Sequence, residues 1–185
     1  MPQHKFITKQ LIDKGWSEDK KYCLTDEQGK RFLLRVSPIE QYDRKKSEYE
    51  LMSQVATLGV PMCKPLEFGT SDEGVYSIQT WIDGVDVEEN VHNLTCEEQY
   101  SYGFEAGRIL KEIHKIPAPK GIEDWEIYFN RKADRKIKMY EECPIKYENG
   151  QAFIDYINAH RYLLIGRPRT YQHGDYHIGN MMIGN

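Results

Sequence analysis

The strongest constraint on this chain is a change of hydrophobic period near Asp83-Gly84. Upstream, short runs rich in β-branched and aromatic residues alternate with turn residues; downstream, apolar residues recur at three- and four-residue steps almost without a break. "FITKQLI" (6–12), "KKYCLTD" (20–26) and "RFLLRVS" (31–37) read as three antiparallel strands, separated by "DKGWSED" and the turn "EQGK". Residues 39–58 read as a helix. Tyr42, Tyr49, Met52, Val55 and Ala56 share its face, Pro38 stands near its start and Gly59 just past its end. "CKPLEFG" (63–69) and "GVYSIQTWI" (74–82), joined by "TSDE", bring the strands to five.

Beyond the switch, "TCEEQYSYGFEAGRILKEIH" (95–114) opens with Thr95 and Glu98 in a capping box. Its expected packed face is Tyr100, Phe104, Gly107, Leu110 and His114. Further helices are expected at about 123–142 and 150–164. The pattern predicts an α+β protein: a five-stranded antiparallel lobe over 1–83, followed by a helical lobe over 84–185.

The 185 residues suffice for one ordinary domain or two small lobes, and 39% hydrophobic content with thirteen tyrosines describes a folded chain. A net charge of -4 excludes a protein that works mainly on nucleic acid, since neutralising phosphates takes a basic surface. No run of eighteen apolar residues and no signal-type N-terminus is present, so no membrane partner is expected and a cytoplasmic location is. Cys23, Cys63, Cys96 and Cys143 are widely spaced and read as free thiols.

The chemistry concentrates in "HGDYHIGN" (173–180). Asp175 and Asn180 have the spacing of a phosphotransferase loop, in which a carboxylate orients the acceptor hydroxyl and an amide oxygen a turn later coordinates magnesium; Gly174 stands where protein kinases carry arginine. A second reading of the same letters is a metallohydrolase, with His173, Asp175 and His177 alternating as ligands. A third is an irregular polar loop. Upstream, Arg35 lies on the third strand and Glu48 on the following helix, the arrangement of the ion pair that holds the α- and β-phosphates in kinases. Taken singly, each is equally an ordinary half-exposed charge.

With these stretches, "GWSEDKKYCL", "FLLRVS", "KSEYELMSQVATLGVPM", "YSIQTWIDG", "GRILKEIH" and "QHGDYHIGNMMI", the chain resembles the aminoglycoside phosphotransferase family of small-molecule kinases, which have a protein-kinase-like fold. The resemblance implies that "DKGWSED" covers a nucleotide, with Gly15 and Ser17 offering backbone amides to its phosphates. It implies a hinge at "QTWIDG", with Gln79 beside the purine and the backbones of Thr80 and Ile82 bonding its edge. It makes Asp175 the catalytic aspartate, Asn180 a magnesium ligand, ATP or GTP the phosphoryl donor, and a small-molecule hydroxyl the acceptor. Tyr176 and His177 are expected toward the substrate, and His173 is expected to brace the loop. Trp81 and His114 are expected to serve packing.

The family's pattern runs on past "MMIGN" to an aspartate that grips magnesium, and to further helices; on that pattern the sequence is expected to be an enzyme truncated at its C-terminal side. The rival expectation is a non-catalytic kinase-like protein that binds nucleotide weakly or not at all. An exposed apolar surface on the helical part, with a tendency to associate, is also expected. Oligomeric state and acceptor identity stay open.

Overall fold

A computed structural model describes residues 5–13 and 18–184. Contacts divide the chain into two compact units, Met1–Ile113 with His173–Asn185, and His114–Gln172.

The first unit is built on an antiparallel sheet of β1 (Phe6–Ile12), β2 (Lys20–Asp26), β3 (Arg31–Ser37), β4 (Pro65–Ser71) and β5 (Gly74–Thr80), in the order β1-β2-β3-β5-β4. The turn between β2 and β3 is closed by the Asp26 carboxylate, which accepts the backbone N–H groups of Gln28 and Lys30, both at 2.9 Å. Alternation along β3 sorts its side chains onto two faces. Phe32, Leu34 and Val36 pack with Leu24 and Ile78 against Phe6, Tyr22 and Tyr76; Phe32 is fully buried, with Phe6 edge-on to its ring at 5.5 Å. Leu33, Arg35 and Ser37 belong to the other face. There α1 (Tyr42–Ala56), entered through a 3-10 turn at Ile39–Gln41, lies over β4 with Tyr42 and Tyr49 on the ring of Phe68.

The five expected strands are therefore present, with β4 two residues later than expected and β5 ending at Thr80. The compact units do not divide at 83/84. The physical reason is a short pairing: β6 (Gly84–Asp86) runs antiparallel to β7 (Met182–Gly184), so the 173–180 loop and the strand after it stay with the sheet-bearing unit, while His114–Gln172 forms the other. A Cβ on Gly84 would stand 2.3 Å from the Ile183 carbonyl oxygen, so only glycine permits this approach.

A one-turn helix, α2 (Val87–Asn90), follows, capped by Asp86, whose carboxylate accepts from Glu88 and Glu89 N–H. Then comes α3 (Cys96–Ile113). Thr95 and Glu98 form the expected capping box: the Glu98 carboxylate accepts from Thr95 N–H at 2.8 Å, and Thr95 Oγ1 accepts from Glu98 N–H at 3.2 Å. Its packed face agrees with the expected one only toward its C-terminal end, where Leu110 and His114 are partly covered. Tyr100 and Phe104 are 77% and 68% exposed, while Ile113 is buried and Ala106, Ile109 and Leu110 are partly covered. The inward stripe is rotated toward the small and aliphatic residues.

The second unit contains α4 (Trp125–Glu142) and α5 (Gly150–Ala159), with a 3-10 turn at Arg161–Leu164. Arg161 joins them, donating to Asn130 at 2.8 Å and pairing with Asp134 at 2.5 Å. Ile145, Tyr147, Phe153, Tyr156 and Ile165 of this unit are exposed. So much uncovered apolar area favours association. Sedimentation of the chain should show species heavier than a monomer that grow with concentration; a monomer at all concentrations would contradict this.

Candidate active site

The expected site residues that the structure describes fall into two groups in the sheet-bearing unit. The first lies between β3 and α1. Asp19, at the C-terminal end of the expected nucleotide-covering stretch, has a side chain only 3% exposed, and three groups converge on it. Ser37 Oγ donates to Oδ1 at 2.7 Å, while Arg35 Nη2 and Lys45 Nζ both donate to Oδ2, at 2.7 and 2.9 Å. Lys45 also pairs with Glu48 at 3.1 Å, and Glu48 takes Arg44 at 3.5 Å. The direct Arg35–Glu48 ion pair expected from the sequence is thus replaced. Arg35 is held by Asp19, and Glu48 is reached through Lys45, because Lys45 stands one turn ahead of Glu48 on α1 and is nearer to Asp19's buried carboxylate. Asp19, Arg35, Ser37, Lys45, Glu48 and Gln79 line a cavity of about 40 Å³, room for a few water-sized groups and not for a whole nucleotide. A larger groove, about 450 Å³, lies on the opposite face of the sheet among Phe6, Leu24, Leu34, Val36 and Ile78, and none of the expected site residues lines it.

Burial alone would raise the pKa of Asp19, but the hydrogen bonds from Ser37 and Lys45 and the charges of Arg35 and Lys45 outweigh it and hold the carboxyl at about 2. A carboxyl depressed in the fold contributes stability that is complete above its unfolded value and is lost as pH falls through the folded one. The window therefore lies from about pH 4 down to about pH 2, with about 2 kcal/mol at stake. Unfolding curves should lose this increment on acidification in the native chain, and lose less of it in Asp19→Asn. Equal acid sensitivity of the two would contradict the assignment.

At the end of β5, Gln79 is 4% exposed and its amide donates to Ser77 Oγ at 3.4 Å. The Thr80 N–H is committed to the Lys64 carbonyl at 2.9 Å, and Thr80 Oγ1 accepts from Lys64 N–H. The backbone of Thr80 therefore has only its carbonyl to offer a purine. Ile82 follows in irregular chain. This connector is fastened by Arg31, which pairs with Asp83 and lies over the Trp81 ring at 5.3 Å. Trp81 has a local partner in the same unit. Gly15 and Ser17 lie outside the described residues.

The second group is the loop before β7. Gly174 has φ of 82°, the left-handed region where a side chain is strained, which accounts for glycine at this position. Tyr176 does not face outward to a substrate: its hydroxyl donates to the Ala106 carbonyl of α3 at 2.8 Å and ties the loop down. Burial pushes the Tyr176 phenol up. His173 lies edge-on to the Tyr176 ring at 5.2 Å. His177 Nδ1 accepts from Gly179 N–H at 3.1 Å and opens the 3-10 turn Ile178–Asn180. Across that turn Asn180 Nδ2 donates to Asp175 Oδ2 at 2.9 Å and to the Asp175 carbonyl at 3.0 Å. The Asp175 side chain is 75% exposed, with Oδ1 3.4 Å from His177 Nε2.

Among the described residues, no group of three or more His, Cys, Asp or Glu is placed to hold a metal ion. His173, Asp175 and His177 do not converge as a metallohydrolase triad, since His173 turns to Tyr176. Asn180 differs. Its nitrogen is fixed on Asp175, and among the described residues its carboxamide oxygen has no hydrogen-bond partner. A free hard oxygen beside a carboxylate fits magnesium carried with phosphate oxygens. Also among the described residues, the four cysteines are free, and no helix is long and apolar enough to cross a membrane.

A five-stranded antiparallel sheet with a charged helix on one face, followed by helices and an aspartate–asparagine loop, defines the protein-kinase-like α+β class. The chain belongs to the phosphotransferase enzyme family, whose sequence profile matches residues 9–185. No curated protein sequence matches it significantly. Among solved structures, a putative fructosamine-3-kinase from Haemophilus somnus 129PT is similar with a TM-score of 0.56 at 11% identity, over 85% of this chain and 57% of that one. An aminoglycoside-3′-phosphotransferase of type VIII is similar at 0.54 and 14% identity, over 100% of this chain and 67% of that one. A variant of an aminoglycoside 2′-phosphotransferase IIIa in its GDP complex is similar at 0.55 and 11% identity, over 90% of this chain and 55% of that one. The chain thus spans less than two thirds of the first and third of these relatives.

Proposed function

We propose that this chain is the nucleotide-binding and catalytic-loop part of a kinase that transfers the γ-phosphoryl group of ATP or GTP to a hydroxyl of a small molecule. The observation that carries the reading is the Asn180 amide fixed on the Asp175 carboxylate, in a loop tied to α3 by Tyr176 and followed directly by the paired strand β7. Relatives of similar fold are named for aminoglycosides and fructosamine, and one is complexed with GDP; they support an amino-sugar-like acceptor and leave the purine open.

In this mechanism the acceptor hydroxyl donates its proton to Asp175, an oxygen–phosphorus bond forms, and the bond from the γ-phosphorus to the bridging β-phosphate oxygen breaks. The leaving nucleoside diphosphate takes the electron pair. A carboxylate is a weak base toward an alcohol, so Asp175 mainly aligns the hydroxyl and takes the proton late, in a loose transition state. Asn180 keeps Asp175 oriented through its nitrogen, and its oxygen is the group that would hold magnesium. That ion, when bound, neutralises charge on the β- and γ-phosphates. Arg35 meets phosphate oxygens through the part of its guanidinium that Asp19 does not engage; 36% of its side chain is exposed. The backbone groups of Gly15, Ser17, Thr80 and Ile82 complete the nucleotide site in this reading.

The test is turnover of ATP and GTP by the full-length gene product against a panel of amino sugars, aminoglycosides and amino alcohols, followed by ³¹P NMR. A phosphomonoester signal that needs an acceptor is the expected result. Nucleotide that is neither bound nor consumed in any combination favours the non-catalytic rival.

A further inference from the structure

The charges between β3 and α1 form a chain of four: Arg35, Asp19, Lys45 and Glu48, each joined to the next at 2.7, 2.9 and 3.1 Å. Arg35 and Lys45 share one carboxylate oxygen of Asp19. Their nitrogens repel. A buried acceptor must hold them together. Asp19 is built for that: it is nearly inaccessible, fixed on its other oxygen by Ser37, and placed where the expected nucleotide-covering stretch enters β2. Lys45 is itself mostly covered, 13% exposed, which distinguishes it from the solvated cations elsewhere on α1 such as Arg44. Lys21 stands opposite Arg35 in the β2–β3 register and adds positive charge to the same place.

We propose that Lys45 and Asp19 are positioning residues for the nucleotide phosphates, forming the link that couples α1 to Arg35 in place of a direct Arg35–Glu48 contact. The proposal rests on the nucleotide reading of the site. Its physical content is that Arg35 needs a fixed anion behind it to present its free N–H groups at one angle, and that Asp19 can be this anion only while Lys45 shares and orients it. Removing Lys45 leaves Asp19 with one cation and uncouples Glu48 from the strand. Removing the charge of Asp19 leaves two adjacent cations without a common acceptor, and they separate. Either change mis-sets the same guanidinium, so the two should not add.

The experiment is a calorimetric comparison of Lys45→Met, Asp19→Asn and the double variant in the full-length protein. Three probes are used: MgATP, inorganic tripolyphosphate and adenosine. Circular dichroism establishes that each variant is folded. Lys45→Met should weaken MgATP and tripolyphosphate about tenfold or more while leaving adenosine binding unchanged. Asp19→Asn should act in the same direction, and the double variant should be no worse than the poorer single one. Lys45→Arg, which keeps the charge and the donors, should restore most of the loss. Equal weakening of adenosine and MgATP would reduce the pair to a packing role and overturn the proposal. So would unchanged MgATP affinity in Lys45→Met, or tighter MgATP binding in Asp19→Asn, which would make Asp19 a competitor of phosphate. Should Asp19→Asn fail to fold, Lys45→Met and Lys45→Arg decide the question. A native protein that binds neither MgATP nor adenosine removes the nucleotide reading first, and this proposal with it.

Discussion

Replacing Asp175 by asparagine should lower phosphoryl transfer on the order of 10³-fold and leave nucleotide affinity within about a factor of two. The substitution is nearly isosteric, and the new amide oxygen accepts from Asn180 as the carboxylate does, so the loop's geometry is preserved. What is lost is the anionic acceptor for the hydroxyl proton. The Tyr176 tie to α3 and the β6–β7 pairing do not involve that side chain, so thermal stability should be little changed. Steady-state kinetics with whichever acceptor of the panel above the native protein phosphorylates reads the effect as a fall in kcat. Retention of more than a tenth of native kcat would mean that Asp175 is not the group that handles the proton.

The largest effect on folding is expected at Phe32. It is the fully buried centre of the sheet's packed face, between Leu24, Leu34 and Ile78, with the Phe6 ring edge-on. Phe32→Ala should cost about 3–5 kcal/mol, the range for a large aromatic replaced in a core that collapses only partly. The pocket face carries Arg35 on the same strand, two positions before Ser37, so the loss should extend to nucleotide binding through the strand rather than through any contact. Denaturant titration checks the magnitude. A loss below about 1 kcal/mol would show that the face around Phe32 is not the unit's core.

The fold was legible wherever local period and local chemistry agree. The strands at 6–12, 20–26 and 31–37 coincide with β1, β2 and β3, and the Thr95–Glu98 box starts α3, because alternation and capping act over a few residues. The face of α3 was not legible. Tyr100 and Phe104 fit a helical stripe with Leu110 as well as Ala106, Ile109 and Ile113 fit another, and only tertiary packing selects between stripes. The division into units escaped for a similar reason: the pairing of Gly84–Asp86 with Met182–Gly184 joins segments about a hundred residues apart, and two three-residue strands carry no periodicity of their own.

Within the candidate site, Asp175 and Asn180 were visible because the roles proposed for them need a fixed short spacing, and the structure joins the two side chains by a hydrogen bond. Arg35 and Glu48 were found as residues, and both line the cavity, yet their partners were not predictable. Asp19 lies 16 residues from Arg35 and 26 from Lys45, within a charged stretch that reads as an ordinary loop. Its one sequence signal was a carboxylate immediately before β2, two residues from Lys21, which the neighbouring strand sets opposite Arg35. Lys45 was hidden in "DRKK", a run whose usual reading is a solvated helix face.

In the proposed function the Arg35 side of the sheet receives the nucleotide phosphates. Calorimetric titration of MgATP and MgGTP into the native protein and into Arg35→Ala tests it most directly. Saturable binding of at least one nucleotide, weakened tenfold or more by the substitution, is the predicted result. Binding that Arg35→Ala leaves unchanged, or no binding of either nucleotide to the native protein, would contradict it.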